Sequence, residues 1–221
     1  MTGAPTSGHT SCYIRSREPD AADDRLFSRV VARNSPPTIA ALSPWLTGLH
    51  GTVLEIGCGT GQHAAQFALA FPHLTWLASD IHPAHRASAQ AWARELGVDM
   101  PRPLDLDAAA QWGGAVGRLA AVVAMNVIHI APPAVMQGII AGAGQALDRG
   151  GLLVFYGPFI EPGVDTGPGN IAFDAALRAD DPRWGLRDTG AVRALGQAAG
   201  LSFTALIAVP ANNRILILRR D

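Results

Sequence analysis

The stretch Val53-Leu54-Glu55-Ile56-Gly57-Cys58-Gly59-Thr60-Gly61-Gln62-His63 runs from an apolar strand through a glycine-rich turn into the start of a helix. Gly57, Gly59 and Gly61 lack the Cβ atoms that hold backbone away from a ligand, and they tolerate the positive φ of a tight turn. The spacing is G-x-G-x-G. In the dinucleotide fingerprint G-x-G-x-x-G the third glycine would fall at position 62, which here is Gln62. Glu55, two residues before the turn, argues the same way: a pyrophosphate seeks bare N–H groups at a helix N-terminus, and a carboxylate there repels it. A ligand bearing an ammonium and a sulfonium is matched instead. The turn therefore predicts S-adenosylmethionine, with Glu55 accepting from the ammonium, directly or through water, and main-chain groups of the loop taking the carboxylate. A plain strand-turn-helix corner with no ligand is the competing reading.

Outward from this turn, apolar runs of strand length alternate with amphipathic runs of helix length, the pattern of a parallel sheet wrapped by helices. Strands are expected at residues 52–56, 74–79, 102–106, 120–126, 152–156, 202–208 and 213–218, and helices at 62–70, 84–96, 108–116, 134–147 and 189–199. Two short helices, 26–31 and 36–46, are expected before the first strand, the second opened by Ser35 as N-cap with Pro36 or Pro37 in its first turn. Only Pro210, Ala211 and Asn212 separate the last two strands, enough for antiparallel neighbours and too little for a parallel crossover. The expected fold class is α/β: a Rossmann-like, seven-stranded, mostly parallel sheet with a C-terminal antiparallel hairpin, the architecture of class I methyltransferases.

At 221 residues the chain has the length of one domain. Residues 1–24, rich in Gly, Pro, Ser, Thr and charge and without an apolar run that could form a signal-peptide core, read as a flexible arm; residues 25–221 read as the domain. With 17 basic and 18 acidic residues there is no net field to draw nucleic acid or an anionic membrane, so the expected partner is a small molecule. No apolar run reaches the length of a membrane span. Cys12 and Cys58 stand far apart in unlike contexts, which points to a reducing compartment, the cytoplasm.

Other residues take expected roles from their places along the chain. Asp80 closes the second strand about twenty residues past the glycines, where a ribose diol is held; its plainer role is a loop or helix-cap acid. Asp105 and Asp107 follow the third strand, and either can accept from an adenine amino group. Asp107 is the better placed, though it also suits an N-cap. Methyl transfer is an in-line displacement, which asks the protein to hold a nucleophile about 3 to 3.5 Å from the methyl carbon and to exclude water. For a hydroxyl, thiol or protonated amine a base is needed as well, and His129, just past the fourth strand, is the candidate; the alternative is a histidine satisfied by a carbonyl at a helix start.

Asn126 ends the fourth strand, where it is expected to border the cofactor and orient the acceptor. Tyr156, at the end of the fifth strand, either points its hydroxyl into the site or caps the core with its ring. Arg187 either clamps an acceptor carboxylate or phosphate or pairs with Asp188 or Asp174. Asn212 either touches substrate or supplies the left-handed residue of a tight turn, and Arg33 and Asn34 either close over the ligand or satisfy their own loop. No metal site is expected, because no acid pair or cysteine completes a ligand set around His82 and His85. No G-x-S-x-G elbow is present for a hydrolase. Cys58 suits its corner by size and needs no reactivity.

The segments Arg33-Asn34-Ser35-Pro36, the glycine turn with Gln62-His63, Ser79-Asp80, Leu106-Asp107, Asn126-Val127-Ile128-His129-Ile130, Tyr156-Gly157-Pro158-Phe159, Asn170 with Phe173-Asp174, Trp184-Gly185-Leu186-Arg187-Asp188 and Pro210-Ala211-Asn212-Asn213 follow one another in a single order. In them, from about Phe27 to Arg220, the chain closely resembles the DUF938, or methyltransferase-like 26, family of class I S-adenosylmethionine-dependent methyltransferases. The resemblance implies that fold and that cofactor, and supplies no settled substrate. Family members usually carry Ser where this chain has Gly169. The expected function is transfer of a methyl group from S-adenosylmethionine to an O, N or S atom of a small-molecule acceptor. A non-catalytic cofactor-binding or partner-binding module on the same fold is the alternative, and an NAD-dependent oxidoreductase is disfavoured by Gln62 and the terminal hairpin.

Overall fold

Val53, Leu54 and Ile56 are buried, as a nearly continuous apolar strand must be when both faces of its sheet are covered. The computed structural model describes residues 24–221; the expected N-terminal arm, and Cys12 with it, lies outside the described residues apart from Asp24. In chain order the elements are α1 (Arg29–Leu46), β1 (Gly51–Ile56), α2 (Gln62–Ala70), β2 (Leu74–Asp80), α3 (Pro83–Leu96), β3 (Leu104–Asp105), β4 (Leu119–Met125), α4 (Pro133–Ala146), β5 (Leu147–Gly157), β6 (Phe159–Ile160), α5 (Pro168–Asp180), β7 (Arg187–Asp188), α6 (Thr189–Ala198), β8 (Leu201–Val209) and β9 (Asn213–Arg220). Seven strands form one sheet in the order β3-β2-β1-β4-β5-β9-β8. The pairs from β3 to β5 are parallel, and β9 runs antiparallel to both β5 and β8. The winding reverses at β1: the chain moves outward to β2 and β3, then returns to start β4 on the other side. At such a reversal the loops after neighbouring strands diverge, leaving a crevice at the strands' C-terminal ends.

The two faces of the sheet follow from the two-residue period of the strands. Val53, Trp76, Val123, Val154 and Ile217 pack beneath α1 and α2 with Leu42 and Phe67. Leu54, Val122, Leu153 and Leu216 point the other way, against Ile139 of α4 and Val192 of α6. A one-residue slip of β1 would exchange these sets, so its register is strongly held. The same alternation puts Glu55 on the Val53 face, beside Trp76.

Several elements differ from expectation. The two short N-terminal helices are one 18-residue helix, α1, which continues through Pro36, Pro37 and Pro44. A proline inside a helix is unfavourable by about 3 kcal/mol. Here tertiary contacts outweigh that: Val31, Leu42 and Leu46 are buried, Ser35 Oγ meets His63 Nδ1 at 2.9 Å, and Thr38 Oγ1 donates to the Asn34 carbonyl at 2.7 Å. The helix expected at 108–116 is a series of turns. Gly113 and Gly114 weaken it locally, and Trp112 instead lies on α4, donating from Nε1 to Gly138 O at 3.1 Å and leaving no room for a side chain at Gly142.

The strand expected from residue 152 begins at Leu147, directly after α4, and the expected third strand shrinks to Leu104–Asp105. Between β5 and α6, where no helix is expected, α5 forms, opened by Gly167 at φ 76° and Pro168 in its first turn. Only Leu177 of that helix is buried, which explains its weak apolar signal. β6 and β7 form a separate two-residue parallel pair. No helix of the described residues is long and apolar enough to cross a membrane.

Candidate functional site

The three glycines of the turn have φ values of 67°, 55° and 74° for Gly57, Gly59 and Gly61. Each answers a different need. A Cβ on Gly57 would sit 2.8 Å from Val127 Cγ2, and one on Gly61 would sit 2.3 Å from Ala89 Cα, so Gly61 is what lets α2 approach α3. A Cβ on Gly59 would meet nothing within 4 Å. Gly57 and Gly59 line a cavity and Gly61 does not. Helix packing thus accounts for Gly61, a reason that glycine spacing alone does not separate from ligand approach. The turn is tied to β2 by Cys58 N–H donating to Ser79 O at 2.9 Å and Gly59 N–H donating to Asp80 Oδ2 at 3.0 Å.

This cavity, about 350 Å³, opens at the C-terminal ends of β1, β2 and β4, and Glu55, Asp80 and Asp107 line it. Glu55 is buried, with Trp76 Nε1 donating to Oε2 at 2.7 Å. Burial pushes its carboxyl from 4.5 up to about 7, against the partial pull of that indole. Asp80 accepts from His82 N–H at 2.9 Å as well as from Gly59, and His85 Nδ1 lies 3.1 Å from its Oδ2. Burial alone would raise Asp80; the His85 ring and the two backbone donors outweigh it and hold the carboxyl below its ordinary value. Asp105 turns away to Arg86, 3.1 Å from Nη2. Asp107 Oδ1 accepts from Ala109 N–H at 2.9 Å, which leaves Oδ2 for the cavity. Burial, then the charges of Asp80 and Glu55, hold the Cys58 thiol well above its ordinary range, so it carries no thiolate.

A second cavity, about 430 Å³, adjoins the first and shares Ser28, Val30, Asn126 and Ile130 with it. Arg33, Asn34, His129 and Phe173 are among its lining. Asn126 stands where the two meet, in the left-handed region at φ 57°, its N–H donating to Tyr156 O at 2.9 Å. His129 is buried, with its ring edge-on to Phe173 at 5.8 Å. Gly157, at φ 154°, leaves room for that ring: a Cβ there would lie 2.6 Å from His129 Cε1 and 3.3 Å from Asn126 Oδ1.

Three expected residues lie behind the walls instead. Tyr156 is buried in the core, and its hydroxyl accepts from Asn213 Nδ2 at 3.1 Å. Among the described residues Arg187 lines neither of these two cavities and makes no salt bridge with Asp188 or Asp174; Nε donates to Ile128 O at 2.8 Å and Nη2 to Ala131 O at 2.6 Å, bracing the loop after β4. Asn212, left-handed at φ 54°, donates from Nδ2 to Thr166 O at 2.8 Å, and its own carbonyl accepts from Asn170 Nδ2 at 3.1 Å, joining the β8–β9 hairpin to α5.

Two lining residues escape a motif reading. Arg29 stands one helical turn before Arg33, a spacing visible only if the helix is taken to run unbroken across both. His63 lines the first cavity with Nε2 buried and without a hydrogen-bond partner, while burial lowers its pKa to about 4. Among the described residues no cluster of three or more His, Cys, Asp or Glu could hold a metal ion. Taken together, the first cavity offers carboxylates and bare backbone to a cationic, polar ligand, and the second sets an imidazole and amides beside it.

Solved structures share this architecture. An O-methyltransferase family protein from Burkholderia thailandensis superposes with a TM-score of 0.71 at 20% identity, over 86% of this chain and 57% of that one. Magnesium protoporphyrin IX methyltransferase from Synechocystis PCC 6803, with SAH bound, gives 0.63 at 21% identity over 83% and 82%. The pyocyanin biosynthetic protein PhzM gives 0.71 at 16% identity over 96% and 62%. The chain spans little more than half the length of the first of these proteins. The fold is that of the class I methyltransferases. Residues 25–220 match the family described as a protein of unknown function, DUF938, and the chain belongs to that family.

Proposed function

We propose that the chain is an S-adenosylmethionine-dependent methyltransferase that moves a methyl group to an O, N or S atom of a small-molecule acceptor. The observation that carries this reading is the pair of cavities meeting at Asn126, one lined by Glu55, Asp80 and Asp107 beneath the open face of Gly59, the other holding His129. When bound, the cofactor supplies an activated methyl group on a positively charged sulfur. Glu55, oriented by Trp76, accepts from an ammonium. Asp80, fixed by Gly59 and His82, offers its remaining lone pairs to ribose hydroxyls, and Asp107 Oδ2 accepts from an adenine amino group. Asn126 orients the acceptor from the junction, Arg33 and Asn34 bind it, and His129 takes its proton. Tyr156 acts as a positioning residue through Asn213, while Arg187 and Asn212 hold the walls. Cys58, a free and buried thiol, is in keeping with a reducing compartment such as the cytoplasm.

Titration calorimetry with S-adenosylmethionine, S-adenosylhomocysteine and NAD tests the cofactor. The first two bind, and Asp80→Ala weakens them by roughly 1.5 to 3 kcal/mol, the loss of charge-assisted hydrogen bonds. Binding of NAD alone would end this reading. Transfer of labelled methyl to a broad panel of small molecules tests turnover; cofactor binding with no transfer to any member would make the protein a non-catalytic module.

A further inference from the structure

The two adjoining cavities carry opposite charge. Glu55, Asp80 and Asp107 line the first, where no lysine or arginine does; Arg29 and Arg33 line the second, where no aspartate or glutamate does. Among the described residues neither arginine forms an ion pair. Arg33 Nε donates to Asn34 Oδ1 at 3.3 Å, which leaves both terminal nitrogens for another acceptor. Arg29 and Arg33 lie one turn apart on the same face of α1. Ser28, the N-cap of this 18-residue helix, makes no side-chain cap, so the positive end of the helix opens where the two cavities meet. Burial raises the Tyr156 phenol, and the Asn213 amide and the Arg33 charge each pull it back. The Arg33 charge thus reaches the end of β5, while both arginine side chains are open to solvent. Val30, Ile130, Pro158 and Phe173 give the same cavity apolar wall.

We propose that the second cavity is the acceptor site and that the acceptor is an anion: a small molecule with an apolar body, whose carboxylate or phosphate is held by Arg33 and Arg29 and whose nucleophilic atom faces Asn126 and His129. As an acceptor site the cavity rests on the methyltransferase reading; its preference for anions is measurable without it. Guanidinium groups match the planar fork of a carboxylate and the edges of a phosphate, and two of them without a counter-ion in a partly enclosed space concentrate anions. The same arrangement turns away a cationic acceptor. It also sorts the ligands, because a positively charged cofactor is drawn to the carboxylate-lined cavity. A volume of about 430 Å³ accommodates one small organic molecule.

Titration of the full chain with benzoate, phenyl phosphate and benzamide, with and without saturating S-adenosylhomocysteine, tests this. At least one anion should bind about tenfold or more tighter than the isosteric neutral amide, as expected for charge-assisted contacts, and the tighter of the two separates carboxylate from phosphate. Arg29→Gln with Arg33→Gln should erase that preference and leave S-adenosylhomocysteine affinity unchanged, while Arg29→Lys with Arg33→Lys should retain part of it. Equal binding of amide and anions, no saturable binding of either anion, or a preference that survives the double glutamine change would overturn the proposal. Should the glutamine variant fail to fold, the wild-type comparison still decides. If S-adenosylhomocysteine fails to bind while the anion preference holds, the methyltransferase reading falls and the anion site stands; the reverse result removes only the anion site.

Discussion

Replacing Glu55 with glutamine should stabilise the empty protein in mild alkali and weaken its hold on the cofactor. Burial raises this carboxyl from 4.5 to about 7, which corresponds to about 3 kcal/mol. Because the folded-state value lies above the unfolded one, the protonated form favours the fold. That contribution is complete below about pH 4.5 and is lost as the pH rises through about 7. The substituted side chain would keep an amide oxygen for the Trp76 indole and could not ionise. At pH 8 the Glu55→Gln variant should therefore exceed wild type by up to about 3 kcal/mol, with the difference shrinking toward nothing near pH 4.

His63 works in the opposite sense. Burial lowers its pKa from 6.5 to about 4, so the stability of its neutral form is present above 6.5 and lost as the pH falls through 4. In wild type the two slopes oppose each other between about pH 4.5 and 6.5, and in the variant the loss at His63 stands uncompensated. Urea unfolding followed by tryptophan fluorescence from pH 4 to 8 measures both effects. With saturating S-adenosylhomocysteine present the gap should narrow by about 1.4 kcal/mol for each tenfold loss of affinity, since the variant loses the charge facing the ammonium and binds roughly tenfold or more weakly. A stability difference that does not change with pH, or a variant less stable than wild type at pH 8, would show that burial does not hold the Glu55 carboxyl protonated.

Gly61→Ala should destabilise the fold by roughly 2 to 4 kcal/mol, because the added methyl meets the α3 backbone at a residue already at positive φ; a change under about 0.5 kcal/mol in denaturant unfolding would count against that contact. Gly157→Ala should push the His129 ring out of place, lowering methyl transfer about tenfold or more while S-adenosylhomocysteine affinity stays within about twofold. Undiminished transfer would show that the placement of His129 does not matter to the reaction.

The sheet was legible because burial on both faces writes itself into strands such as Val53 to Ile56, and because three residues between the last two strands permit only a hairpin. The glycine turn was legible for the same kind of reason: few side chains satisfy its backbone. What escaped was decided across the fold. Pro36 and Pro37 break a helix by local rules, yet contacts from Ser35 to His63 and from Leu42 to the sheet carry α1 through them. The 108–116 stretch has helical composition, yet Trp112 finds its place against Gly142 of a distant helix. In the site, the carboxylates at strand ends could be placed by counting along the chain. Arg187 could not, because its partners are the carbonyls of Ile128 and Ala131, and carbonyls leave no mark in a sequence.

The helix that walls the second cavity, α5, gives the core a single buried side chain, Leu177, and is moored to the β8–β9 hairpin by amide hydrogen bonds between Asn170, Asn212 and Thr166. Its outward residues can therefore be exchanged with little effect on folding, whereas the turn after β1 tolerates almost no change. A protein engineer seeking a new acceptor would begin there, drawing a library over α5 and leaving the glycine turn alone.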